Sequence, residues 1–177
     1  MPDTDNDHGK LTEGSRYCEA SASKTDENRA TVTDSRPHHY EYIDTTADMG
    51  VKGYGNTLTE MFESCAVGMF NAVSDVKNVV PLREFPIQLQ EREIDILLVR
   101  FLNALLYYKD TENIVFADCR VNRLKKENDG MYVLNATAYG EPFDRKRHTI
   151  GKDVKAATYH KLQIDEKSGY AIVILDI

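Results

Sequence analysis

Two stretches of this chain place their apolar residues at helical spacing, while most of what surrounds them between Tyr40 and Ile177 alternates as strands do. Leu58, Met61, Phe62, Cys65, Ala66, Met69, Phe70 and Val73 recur at three- and four-residue steps, which draws one broad apolar stripe along a helix. Ile94, Leu97, Leu98, Phe101, Leu102, Leu105 and Tyr108 draw a second, with Glu93, Asp95, Arg100 and Asn103 off the stripe. Each stripe must be buried against another layer. The strand-like segments that can supply it are Tyr40–Ile43, Val51–Tyr54, Val79–Gln90, Ile114–Lys125, Met131–Tyr139, Val154–Ile164 and Tyr170–Ile177. The expected fold is therefore α+β: a β-sheet built largely from antiparallel hairpins, with the two amphipathic helices packed on one face.

Local chemistry marks the joints. Thr57-Leu58-Thr59-Glu60 has the spacing of a capping box, so the first helix should open there. Glu127-Asn128-Asp129-Gly130 reads as a hairpin turn whose Asp-Gly suits positive φ, and Asp165-Glu166-Lys167-Ser168-Gly169 joins the final strand pair. Pro81 and Pro86 favour an edge position for the strand around them. In 155–162, strict alternation would put Lys155, Ala157, Tyr159 and Lys161 on one face and Ala156, Thr158, His160 and Leu162 on the other. His160 then reads as a hydrogen-bonded residue beside an apolar face.

Residues 1–37 carry 8 acidic and 5 basic side chains, many Ser, Thr, Asp and Asn, and no apolar cluster, so they read as a disordered tail. Residues 38–177 read as a single domain. In the whole chain 22 Lys plus Arg stand against 29 Asp plus Glu, a formal net charge of −7, which argues against stable nucleic-acid binding through bulk electrostatics. The longest apolar run, Ala171–Leu175, is far short of the roughly 18 residues a membrane span needs. The acidic start, MPDTDNDHGK, lacks the layout of a secretory signal, so an intracellular protein, cytoplasmic or nuclear, is expected. Cys18, Cys65 and Cys119 are odd in number and widely spaced, which matches neither a disulfide framework nor a zinc knuckle. Cys65 lies within the helical stripe and reads as a small buried hydrophobe.

No phosphate-binding glycine loop, nucleophile elbow or His-Glu-x-x-His pair is present. What stands out is a set of loop acids, Asp44, Asp48 and Asp144, and the acid Asp176 beside Ile177 after an apolar strand. Loop carboxylates and a chain-terminal carboxylate are hard oxygen donors of the kind Ca²⁺ or Mg²⁺ prefers. For any one Asp, a turn side chain bonding its own backbone is the simpler role. Arg123–Lys126 and Arg145–His148 are short basic stretches consistent with charged hairpin tips.

Several ordered motifs together resemble the archease family: Tyr40-Glu41-Tyr42-Ile43-Asp44-Thr45-Thr46-Ala47-Asp48-Met49-Gly50, Gly55-Asn56-Thr57-Leu58-Thr59-Glu60-Met61-Phe62, Gly140-Glu141-Pro142-Phe143-Asp144 with His148, Lys155-Ala156-Ala157-Thr158-Tyr159-His160, and Val173-Ile174-Leu175-Asp176-Ile177. The resemblance spans residues 38–177. It implies a non-catalytic cofactor protein of the RtcB-type RNA ligase of tRNA splicing, which promotes the ligase's guanylylation and its multiple turnover. It also implies a divalent metal, Ca²⁺ first and Mg²⁺ or Mn²⁺ as alternatives, held by Asp48, Asp176 and Ile177. Asp44, Thr45, Asp144, His148, Lys155 and His160 are the residues expected to support that site or to meet the ligase. One departure stands out, since the family commonly reads His-Thr-Ala-Asp where this chain has Thr45-Thr46-Ala47-Asp48. The alternatives are a metal-dependent hydrolase using Asp48, Asp176 and His160, and a chaperone-like interaction module with a structural metal.

Overall fold

The computed structural model describes residues 37–45 and 48–177. The tail expected over 1–37 lies outside the described residues except for Pro37, as do Thr46 and Ala47 of the first loop. The elements run β1 (His39–Asp44), β2 (Met49–Tyr54), α1 (Leu58–Val73), a 3-10 turn (Val76–Asn78), β3 (Arg83–Glu91), α2 (Ile94–Glu112), β4 (Ile114–Lys126), β5 (Tyr132–Pro142), β6 (Ala156–Asp165) and β7 (Tyr170–Asp176).

The helix ends follow local chemistry. Thr57 Oγ1 accepts from the Glu60 N–H at 3.2 Å. The return bond of the box lands one residue early, with the Asn56 N–H donating to Glu60 Oε2 at 2.7 Å. At the far end of α2, Asn113 takes φ 53 and ψ 51, the left-handed cap geometry that asparagine tolerates.

All strand pairs are antiparallel, and they fall into two sheets, ordered β1-β2-β7-β6 and β3-β5-β4. Both helices touch both sheets, α1 lying on β2 and β4 and α2 on β3 and β6. The stripes read from the sequence meet between them. Phe62 and Phe101 stack at 6.0 Å, and Phe116 lies 4.8 Å from Phe70 and 5.4 Å from Phe85. Each such large apolar side chain, once fully buried, contributes about 1.5–3 kcal/mol. The approach of α1 to β2 depends on Gly53, where an added Cβ would come within 2.7 Å of the Cys65 backbone N and Sγ. Cys65 is fully buried and its thiol is pushed up to about 12 by desolvation, so it is an inert core residue.

The places of three strands matter for the site. β3, with Pro86, is an outer strand, as the prolines required. β7 is an inner strand between β2 and β6, so the acidic chain end is held on both sides. β6 is an outer strand, and α2 closes it: Asn103 Nδ2 donates to the Ala157 carbonyl and accepts the Ala157 N–H at Oδ1, both at 2.9 Å. That side-chain amide satisfies the edge backbone as a neighbouring strand would. Lys109 Nζ adds a bond to the Val154 carbonyl at 3.1 Å.

The alternation expected through 155–162 is broken. Thr158 pairs with Ile174, yet the next partner of β7 is Gln163 with Ile172, so Tyr159, His160, Lys161 and Leu162 together face Val173 alone. The extra residues form a wide bulge, and Lys161 takes φ 51 within it. No helix among the described residues is long and apolar enough to cross a membrane.

Candidate functional site

The strand register of the four-stranded sheet gathers Asp44, Asp48 and Asp176 at one end. Asp44 pairs with Met49, Met49 with Leu175, and Ala156 with Asp176. Carrying the β2–β7 register one residue further sets Asp48 across from Asp176. Asp44, Asp48, Asp176 and the start of β6 thus share one sheet end. The Lys155 N–H donates to the Asp176 carbonyl at 2.8 Å and fixes that end of β7.

Thr45 has a structural task in this corner. Its hydroxyl donates to the Asp48 carbonyl at 2.7 Å and accepts the Asp48 N–H at 3.1 Å, closing the loop across the two intervening residues. Where the resembled motif carries histidine, this chain ties Asp48 down through a hydroxyl acting as donor and acceptor at once.

Asp44, Thr45, Asp48, His160, Lys161 and Gln163 line an open cleft of about 890 Å³, with Ile43, Ile172 and Ile174 as its apolar surface. His160, read from alternation as a residue beside an apolar face, is exposed, because the bulge lifts it out of the ladder and onto this cleft. Lys161 reaches the cleft for the same reason, Gln163 lines it from the first paired position after the bulge, and nothing in the local sequence announces a bulge. Asp176 is exposed and Ile177 packs in part against the core.

Asp144 and His148 do not line this cleft. They belong to a separate clasp after β5. Glu141, 2% exposed, accepts from Arg147 Nη1 at 2.6 Å and Nη2 at 2.9 Å and from the Val80 N–H at 2.6 Å. His148 Nδ1 accepts the Asp144 N–H at 2.9 Å, which leaves Nε2 to donate to Glu141 Oε1 at 3.1 Å. The Arg147 guanidinium, assisted by the backbone and imidazole donors, holds the Glu141 carboxyl down at about 2. The sequence analysis named Glu141 only within the Gly140–Asp144 motif and Arg147 only within a basic stretch read as a charged hairpin tip, and their pairing was missed. Glu63 was missed as well. It sits on the buried face of α1, 1% exposed, where Oε1 accepts the Val121 N–H at 2.7 Å and Oε2 has no partner.

The donor chemistry of the acidic corner suits a hard cation. Among the described residues no group of three or more His, Cys, Asp or Glu side chains converges to hold a metal. Asp48 and Asp176 supply two carboxylates, and backbone oxygens, that of Ile177 among them, and water would have to complete an oxygen shell of the kind Ca²⁺ and Mg²⁺ accept.

A sequence profile of the Archease protein family (MTH1598/TM1083) matches residues 40–177, from β1 through β7 and so including every residue of the cleft. The chain belongs to the archease family. It is 41% identical over 127 residues to protein archease of Pyrococcus furiosus, covering 72% of this chain and 86% of that one. It is 38% identical over 145 residues to protein archease of Methanosarcina barkeri, covering 81% and 99%. The solution structure of Methanobacterium thermoautotrophicum protein 1598 superposes with a TM-score of 0.66 at 30% identity, covering 78% of this chain and 98% of that one.

Proposed function

We propose that this archease-family chain is a non-catalytic accessory protein of an RtcB-type RNA ligase of tRNA splicing, working in the cytoplasm or nucleus, and that it promotes guanylylation of the ligase and its repeated turnover. The observation that supports a site for this work is the register that sets Met49 opposite Leu175, so that their neighbours Asp48 and Asp176 meet at the same sheet end. A divalent cation at that corner, calcium in the first instance, would neutralise the paired acids and supply positive charge beside a docked phosphoryl-transfer site. Asp48 and Asp176 would hold it with oxygen from Ile177. Thr45 keeps the Asp48 loop closed, and Lys155 keeps the end of β7 in place. His160 and Lys155 are both exposed, which suits contact with the ligase surface.

The test is turnover of a matched RtcB-type ligase held below its RNA concentration, with GTP and Mn²⁺, in the presence of the intact chain or of Asp48→Ala. The intact chain should convert a single round of joining into many and the variant should not. Stimulation by both would remove the acidic corner from the function, and stimulation by neither would remove the ligase.

A further inference from the structure

The cleft carries opposite charges on its two walls. Asp44 and Asp48 come from the β1–β2 side, and His160 and Lys161 come from the bulge of β6. Among the described residues no carboxylate forms an ion pair with Lys161, so the two walls do not neutralise one another by direct contact. A volume of about 890 Å³ is far more than a hydrated cation fills and matches pockets that take small molecules.

The backbone at Lys161 gives a second reason to look here. Among the described residues two non-glycines have positive φ, Asn113 at 53 and Lys161 at 51. Asn113 caps a helix, where that conformation is ordinary for its residue type. Lys161 lies inside a strand, and lysine has no short side chain that can bond its own backbone to offset the crowding. Glycine would take this conformation without cost. A lysine there places an ammonium on the cleft wall at the expense of backbone ease, the pattern of strain held at working sites.

We propose that the Tyr159–Leu162 bulge is a polyphosphate subsite, in which Lys161 and His160 bind phosphate oxygens of a small metal-bound polyphosphate whose cation faces Asp48. This rests on the metal reading above and adds a ligand class to it. One such ligand satisfies both walls, its cation toward the acids and its anionic oxygens toward the bulge. The formal charge of −7 favours a small, metal-neutralised anion over a nucleic-acid strand.

Titration calorimetry and ³¹P spectroscopy on the full chain test it, with inorganic pyrophosphate plus Mg²⁺ as probe and Mg²⁺ or Ca²⁺ alone as a separate arm. The intact chain should bind the probe, and Lys161→Gly should weaken it about tenfold. The unfolding temperature of Lys161→Gly should be unchanged or raised, and its affinity for metal alone unchanged. Pyrophosphate binding that survives in Lys161→Gly overturns the proposal, as does a fall in its unfolding temperature without loss of the probe. Displacement of the probe by a short oligoribonucleotide at equal phosphate concentration overturns the small-ligand assignment. If metal alone binds and pyrophosphate does not, the subsite falls and the metal reading stands. If metal alone does not bind but Lys161→Gly still costs pyrophosphate affinity, the subsite stands and the metal reading falls.

Discussion

Arg147 grips Glu141 with both arms of its guanidinium, Nη1 to Oε2 at 2.6 Å and Nη2 to Oε1 at 2.9 Å, and thereby clips the turn after β5 back onto the strand end. The same carboxylate takes the Val80 N–H, so one buried acid ties the entry to β3 and the exit from β5 together. The folded carboxyl lies at about 2 against an ordinary 4.5, so the folded state holds fewer protons than the unfolded one between those values. Stability from this clasp is fully present above the ordinary value and is lost as pH falls through about 2. Thermal melts from pH 6 to 2 should show an acid-side decline that Glu141→Gln removes in part. A melting profile of Glu141→Gln parallel to that of the intact protein would count against it.

Glu63 offers a contrast, a buried carboxylate with one oxygen satisfied by the Val121 N–H and one bare. Glutamine keeps the acceptor for Val121 and removes the buried charge, whereas alanine strands the N–H and opens a void. Glu63→Gln should stay within about 1 kcal/mol of the intact protein in denaturant unfolding, and Glu63→Ala should lose about 2–4 kcal/mol. Equal loss in the two variants would refute this account of the contact.

Asn103 stands in for a missing strand beside β6, and the Ala157 N–H it holds belongs to the segment that pairs with the end of β7. In Asn103→Ala, hydrogen exchange at Ala157 should rise at least about fivefold, because one buried bond of about 1 kcal/mol is lost. Unchanged protection at that amide would mean that packing of α2 alone fixes the edge.

If Asp48 and Asp176 hold a cation, calcium should raise the melting temperature of the intact chain and a chelator should reverse the rise. Asp48→Asn and Asp176→Asn should melt like the metal-free intact chain and lose the calcium response, with affinity down by roughly tenfold or more. A full calcium response in both variants would place the ion elsewhere.

Much of the fold can be read before any coordinates. The stripes of α1 and α2, the capping box at Thr57, the Asp129-Gly130 turn and the proline-marked edge strand all act within a turn or a strand of themselves. Ordered motifs also sufficed to suggest the archease family, which the family profile bears out over residues 40–177. The position of His160 was not legible, because alternation assumes an unbroken ladder, and four residues of β6 share one partner on β7. Nor was the Glu141 clasp, whose donors come from a turn, an imidazole and a backbone N–H ahead of β3.

The sequence by itself determined which segments are helix, strand and turn, since periodicity, capping and positive-φ chemistry are settled over a few residues. Only the tertiary structure decided that the strands divide into two sheets with both helices touching each, and that Met49 comes opposite Leu175, which sets Asp48 and Asp176 at one sheet end. Those outcomes depend on register between segments far apart in the chain. Register is chosen when whole apolar faces are buried together, and a single bulge in one strand can redirect every side chain beyond it.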